Sequence, residues 1–206
     1  MAKHVFLKGF SEQAAGYVEL SKLSIWRIIV YYVIQVVSGM EERAEEQIDV
    51  VVNRRLYDRC FHPMRHMKKK LRGEWRELHE KLLPGYVFVV SDSIKELYQE
   101  LRHVPAFTRV LGKDDEQFIP LPEHEVEWLT QIMQTAGDGM EVELSQVAVS
   151  EDDVVTILSG PLKNMEGYIR KIDLHRRIAK VEVDFMNRKT VIHLGIEMVK
   201  KKETVS

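Results

Sequence analysis

Between Ile28 and Val37 the chain reads IIVYYVIQVV, with Gln35 as its one strongly polar position. A run this short and this rich in Ile, Val and Tyr predicts a strand buried on both faces rather than a helix. Ser38 follows, with Glu41 three residues on, the spacing of a capping box. Ala44, Ile48, Val51 and Val52 then share one face of an amphipathic helix. An extended piece with Phe61 and Pro63 leads into RHMKKKLRGEWRELHEKL, Arg65 to Leu82, whose two arms flank Arg72-Gly73 and predict a hairpin that turns there. Pro84-Gly85 marks the entry to the next strand, GYVFVV.

Ser93 with Glu96 predicts a second helix, with Leu97, Leu101 and Val104 on one face and a stop before Pro105. FTRVLG reads as a short strand, and Pro122 opens a third helix that buries Val126, Leu129, Ile132 and Met133. The order β-α-β-β-α-β-α implies a mixed sheet with helices packed against it. Residues 135–152 carry Gly and acids with little period and read as a linker. From there the pattern is short strands only, VVTIL, GYIRKID, RIAKVEVDF and TVIHL, with turn signals at Ser159-Gly160-Pro161, Asn164, His175 and Asn187. That spacing predicts a small barrel. Strict alternation in GYIRKID would send Tyr168, Arg170 and Ile172 to one side and Ile169, Lys171 and Asp173 to the other. The fold class is therefore α+β: an unassigned extension at 1–27, a mixed α/β sandwich at 28–134, a linker at 135–152 and a small β-barrel at 153–206.

Composition narrows the setting. With 206 residues there is room for one or two domains. The single Cys60 leaves no intramolecular disulfide and fits a reducing compartment. The longest apolar run falls short of the roughly 20 residues that cross a bilayer. It is β-branched and lacks a small-residue cleavage pattern behind it, so a cytoplasmic chain without membrane contact is expected. Charge is uneven: from Val154 onward 11 Lys and Arg face 6 Asp and Glu, a net of +5, while the remainder carries −7. A basic and an acidic end suit a molecule with two partners.

No Gly-rich phosphate loop or nucleophile elbow is present, so no enzyme and no cofactor is expected. CFHPMRH gathers Cys60, His62 and His66, with His79 further on, but Pro63 disfavours a helix aligning the histidines and a fourth ligand is missing; no metal site is expected. Lys68, Lys69, Lys70, Arg72 and Arg76 surround Trp75, a mixture of phosphate-attracting cations and a base-stacking ring that makes a candidate nucleic-acid contact. Its plainer alternative is a solvated hairpin tip. In the barrel, Lys163, Arg170, Lys171, His175, Arg176, Arg177, Arg188 and Lys189 form a candidate RNA-binding set, against the alternative of edge-strand protection by Lys and Arg.

YYVIQVVSGMEERAEE, LLPGYVFVV, LRHVPAFTRVLG and PLPEHEVEWL resemble, in order and spacing, the N-terminal domain of the NusG transcription elongation factors. The stretch from DDVVTILSGPLKNMEGYIRKID through IHLGIEMV resembles their C-terminal KOW domain. The resemblance implies a first domain that docks on the clamp helices of RNA polymerase through an apolar concavity, here Tyr31, Leu83, Pro84 and Tyr86. It implies a KOW domain on a flexible linker that recruits a second partner, a monomeric chain overall, and no catalysis. Met186-Asn187 stands where housekeeping members carry an aromatic-Gly pair. With the basic KOW segment, that departure resembles a specialised paralogue of the LoaP antiterminator kind, whose KOW face would bind an RNA hairpin in a leader transcript and permit readthrough of a long operon. Two other readings stay open: a general NusG-type factor whose KOW domain recruits a ribosomal protein or a termination factor, and an rRNA-binding structural protein.

Overall fold

The computed structural model describes residues 30–110, 112–114, 117–133 and 141–199, so the assignment for 1–27 lies outside the described residues. Along the chain the elements are β1 (Tyr31–Val36), α1 (Glu41–Val51), β2 (Arg59–Phe61), β3 (Met64–Leu71), β4 (Glu74–Lys81), β5 (Tyr86–Val90), α2 (Ile94–Leu101), β6 (Phe107–Val110), β7 (Gly112–Asp114), β8 (Gln117–Phe118) and α3 (Glu123–Met133). Then come β9 (Glu141–Val142), β10 (Ser145–Val149), β11 (Val155–Ser159), β12 (Ile169–Asp173), β13 (Ile178–Phe185) and β14 (Arg188–Met198). Among the described residues no helix is long and apolar enough to cross a membrane.

The first sheet has the order β2-β5-β1-β6. Every pair in it is antiparallel, so the mixing in this α+β fold is of helices with strands rather than of strand directions. Alternation along β1 and β5 explains the unbroken apolar runs, because both faces of the sheet are covered. Tyr32, Ile34, Val36, Val87 and Val89 pack with Ala44 and Ile48 of α1 and Leu97 and Leu101 of α2. Val33, Phe88 and Val90, with Tyr31 and Tyr86, belong to a second cluster with Leu129 and Ile132 of α3.

The hairpin forms as its sequence predicts: β3 and β4 pair from Met64↔Lys81 to Leu71↔Glu74, and Arg72 (φ 52°) and Gly73 (φ 90°) make the turn. Two successive left-handed residues match the twist of the flanking strands. The C-terminal strands form one curled five-stranded sheet, β11-β10-β14-β13-β12, closed at one hairpin by Met186 (φ 52°) and Asn187 (φ 59°).

Three local expectations fail. Neither capping box forms: Ser38 and Gly39 turn first, Met40 becomes the N-cap of α1 without a side-chain bond, and the Ser93 hydroxyl donates to Asp92 instead of capping α2. The stretch read as linker carries two strands, β9 parallel to β3 and β10 inside the barrel sheet. Both depend on pairing with distant strands, which local composition does not encode. Finally, a bulge between Ile169 and Lys171 breaks the alternation in β12. An extra residue sends consecutive positions to one side; Arg170 and Lys171 are both exposed, and Ile169 and Ile172 are both partly buried.

Candidate functional site

The Pro84-Gly85 loop is held by one carboxylate. Gly85 takes φ 88°, a conformation that a side chain disfavours, and its carbonyl accepts a hydrogen bond from Val36 N at 2.9 Å. Glu41, fully buried, accepts from Gly85 N at 2.6 Å and from Gly39 N at 2.9 Å, and pairs with Lys81 Nζ at 2.5 Å. Burial alone would raise its pKa, but the Lys81 ammonium and the backbone N–H donors outweigh it and bring the carboxyl down to about 2. Glu41 was legible only as a helix cap; its real partner, Gly85, lies more than forty residues on.

This fixed loop presents Leu83, buried, Pro84, exposed, and Tyr86, half-buried; Tyr31, also half-buried, packs on the same cluster but pairs with Val90, four positions further along β5. Tyr31 meets Phe61 edge-on at 6.5 Å, and Phe61 stacks on Phe88 at 5.6 Å. The aromatic face is not open. Phe185, at the end of β13, lies edge-on to Tyr86 at 5.2 Å and 6.0 Å from Phe88. Helix α3 seats the β13–β14 turn above it: Glu125, fully buried, accepts from Met186 N at 2.7 Å and Asn187 N at 3.0 Å, and Trp128 Nε1–H donates to Asp184 O at 2.8 Å.

A second seam joins the hairpin to β14. Arg65 donates to His193 O at 2.8 Å, and Lys68 pairs with Glu197. At Gly195 the strands approach so closely that an added Cβ would stand 2.3 Å from His66 O. The Arg177 guanidinium lies 4.1 Å from the centre of the Trp75 ring and 3.9 Å from Glu197. Among the described residues, the buried side-chain nitrogens without a hydrogen-bond partner are Arg65 Nε and Arg177 Nε, and both lie in this seam.

The cationic set divides. Arg170 and Lys171 lie on β12, an edge strand of the barrel, and exposed His175 and Arg176 follow in the β12–β13 turn. Arg188 and Lys189 stand at the opposite end of β13, on the order of 25 Å away at strand rise, so the eight residues do not form one patch. Part of the charge is answered locally: Arg170 by Glu182 at 2.7 Å, Lys189 by Asp184 at 2.8 Å, and Arg176 by Asp173 at 4.0 Å. Lys163 is exposed in the 3-10 turn Pro161–Asn164. Arg177 stands apart from the exposed members, inside the seam and 16% exposed. In the hairpin, Lys69, Lys70, Arg72, Arg76 and Trp75 are exposed, although Trp75 carries Arg177 of the barrel on its ring; Lys68 is partly buried against Glu197.

Cys60 and His62 do not combine with His66. Burial, then the charges of Glu45 and Asp49, push the Cys60 thiol far up, and His62 Nδ1 lies 2.6 Å from Glu45. His66 instead faces His79 across the hairpin, ring centres 4.2 Å apart, with Glu141 of β9 between them. Burial opposes a charge on His66, but hydrogen bonds to Glu141 and Glu77 prevail and its pKa is raised. Counting outward from Arg72-Gly73 would have put the two histidines opposite each other.

The family model described as "Transcription termination factor nusG" matches residues 30–130, the span that builds the first sheet, α1 to α3 and the Pro84-Gly85 loop. The chain belongs to the NusG family. It is 27% identical over 183 residues to the transcription termination/antitermination protein NusG of Thermus thermophilus, covering 84% of this chain and 98% of that one. To the NusG of Escherichia coli K12 it is 24% identical over 175 residues, 83% and 95% of the two chains. The solved structure described as "Domain interaction in Thermotoga maritima NusG" superposes with a TM-score of 0.51 at 26% identity, covering 81% of this chain and 93% of that one. This NusG-family chain is thus a transcription termination/antitermination factor of a non-enzymatic kind.

Proposed function

We propose that this factor binds RNA polymerase through Tyr31, Leu83, Pro84 and Tyr86, and that its barrel, a KOW domain, covers that face until it is released to bind RNA. The observation that carries the reading is the roof over the aromatic face: Phe185 on Tyr86 and Phe88, fixed by Glu125 and Trp128. A face that is apolar, rigidly backed by Glu41, and covered by a separate unit has the character of an interface rather than of a permanent core. The orphaned Arg65 Nε and Arg177 Nε agree, since each buried unpaired N–H costs about 1–3 kcal/mol in the closed form and nothing once the seam opens to water.

The released barrel offers Lys163, Arg170, Lys171, His175 and Arg176 to a phosphate backbone, with Arg188 and Lys189 at its far end, and the resemblance to LoaP antiterminators makes a leader-transcript hairpin the expected RNA. Readthrough of terminators in a long operon follows from that pairing of partners. The exposed hairpin cations Lys69, Lys70, Arg72 and Arg76 extend the same contact.

Gly195→Ala tests the first half. Its Cβ cannot coexist with His66 O in the closed seam, while the strand conformation itself accepts Ala. The variant should retain more RNA polymerase than the wild type in a pull-down, and adding Tyr86→Ala should abolish the gain. Equal retention by all three full-length proteins overturns the docking face. For the second half, Lys171→Gln with Arg176→Gln in the Gly195→Ala background should lower the salt slope of RNA-hairpin binding by about 1.4–1.8, roughly 0.7 per lost phosphate contact in the loop and 0.9 in the stem. An unchanged slope, with ribosomal protein captured independently of RNA, selects the general NusG-type alternative.

A further inference from the structure

We propose that His66, His79 and Glu141 form a binding site for one divalent transition-metal ion of the Zn2+ class, which ties β9, the strand leading into the barrel, to the β3–β4 hairpin. The donor set comes from three adjacent strands. His66 and His79 are direct cross-strand partners in the hairpin, and Glu141 arrives on β9, which pairs in parallel with β3 at Met64↔Glu141. Met64 and His66 share a strand face, so the third strand delivers its carboxylate to the side where the imidazoles meet.

The ligand atoms already lie within 4.8 Å of one another. His66 Nε2 is 2.7 Å and His79 Nδ1 3.2 Å from Glu141 Oε2. Tetrahedral zinc with bonds of about 2.0–2.1 Å separates its ligands by about 3.3 Å, so the closer pair has to open by only about 0.6 Å. Two imidazoles and one carboxylate favour zinc and its neighbours over magnesium or calcium, which prefer oxygen ligands throughout.

A second carboxylate orients the site. His66 Nδ1–H donates to Glu77 Oε1 at 2.6 Å, which directs Nε2 toward Glu141. A carboxylate on the non-ligating imidazole nitrogen is the usual support of a metal-bound histidine. The ion would take the place of the Nε2 proton, releasing one proton to solvent, and Glu141 would exchange a hydrogen bond for a metal bond. Access is open, since His79 is 51% and Glu141 40% exposed, and the fourth position falls to water; Glu143, 3.7 Å from His66 Nδ1, lies with Glu77 beside the non-ligating nitrogen. Three residues separate Glu141 from β10, and His66 O is the atom that Gly195 of β14 approaches. An ion here therefore clamps the hairpin, the entry to the barrel and the seam in one place. The inference is independent of the polymerase and RNA readings.

Titration of the full-length protein with ZnCl2 by calorimetry, and with CoCl2 by visible absorption, tests it. One ion per chain is expected. His79→Ala and Glu141→Gln should each weaken binding by at least about tenfold, Glu77→Gln by about 10- to 100-fold, and His62→Ala not at all. Zinc should also slow amide exchange at residues 141–146 in the wild type and not in Glu141→Gln. His79 is half exposed, and circular dichroism will show that its variant is folded. Failure of the wild type to bind either metal saturably overturns the proposal. So do a folded His79→Ala/Glu141→Gln double variant that binds as tightly as the wild type, and a thiolate-to-cobalt absorption band, which would assign the ion to Cys60.

Discussion

The two faces of the first sheet are built from the same strands and differ in what covers them. One carries Tyr32, Ile34, Val87 and Val89 under α1 and α2. The other carries Tyr31, Tyr86 and Phe88 under α3 and the tip of a barrel that begins only after β9. Beneath α1 and α2 the contact is mainly aliphatic, with Tyr32 and Tyr57 as its buried rings. Beneath the barrel it is aromatic, tied at its rim by directional bonds from Glu125 and Trp128, and flanked by a seam with two orphaned arginine nitrogens. Fractional exposure alone does not distinguish the two faces; the unsatisfied donors of the seam beside the barrel do, and they are what the proposed interface rests on.

Substitutions on the two faces should therefore behave differently. The largest effect belongs to the helix-covered face: Leu97→Ala should lower global unfolding free energy by about 3 kcal/mol in urea titration. Close to it is Glu41→Gln, expected to cost about 3 kcal/mol near neutral pH. The carboxyl sits at about 2 against an ordinary 4.5, so its contribution is complete above about pH 5 and is lost as pH falls toward 2. Between those limits wild-type stability should drop more steeply than that of the variant. Glu125→Ala on the barrel-covered side removes the acceptor of two backbone donors and should speed amide exchange at Met186 and Asn187, with a global cost of about 1–2 kcal/mol. Smallest is Arg177→Leu, within about 1 kcal/mol of wild type and of either sign, because the lost ring contact is offset by removal of an unpaired buried N–H. A global loss from Glu125→Ala as large as that from Leu97→Ala would erase the distinction between the faces.

Turn dipeptides and apolar runs made most of the fold legible. Arg72-Gly73, Gly160-Pro161 and Met186-Asn187 act through local backbone geometry, and the strands between them follow. What escaped depends on distant partners. β9 is two residues long and exists because β3 accepts it. Glu125 and Trp128 read as ordinary helix positions until the barrel turn is set against them, and Glu41 reads as a cap until Gly85 is found beside it. Of the candidate site, the turn at Pro84-Gly85 is legible through its dipeptide. Arg177 and Trp75 each read as candidate nucleic-acid contacts on grounds of chemistry, but their pairing is not legible, since it joins positions about a hundred residues apart.

That pairing has a further consequence. Trp75 offers an indole for stacking and Arg177 a guanidinium for phosphate, and in the closed form each occupies the other. Under the proposed release of the barrel, a nucleic acid that takes Arg177 or the ring face it covers must separate the pair, and so favours departure of the barrel from Tyr86; by reciprocity, a protein that takes the aromatic face raises the affinity of the freed groups for their ligand. On that proposal, one cation resting on one ring couples the two binding events, so that each ligand strengthens the other across a single contact.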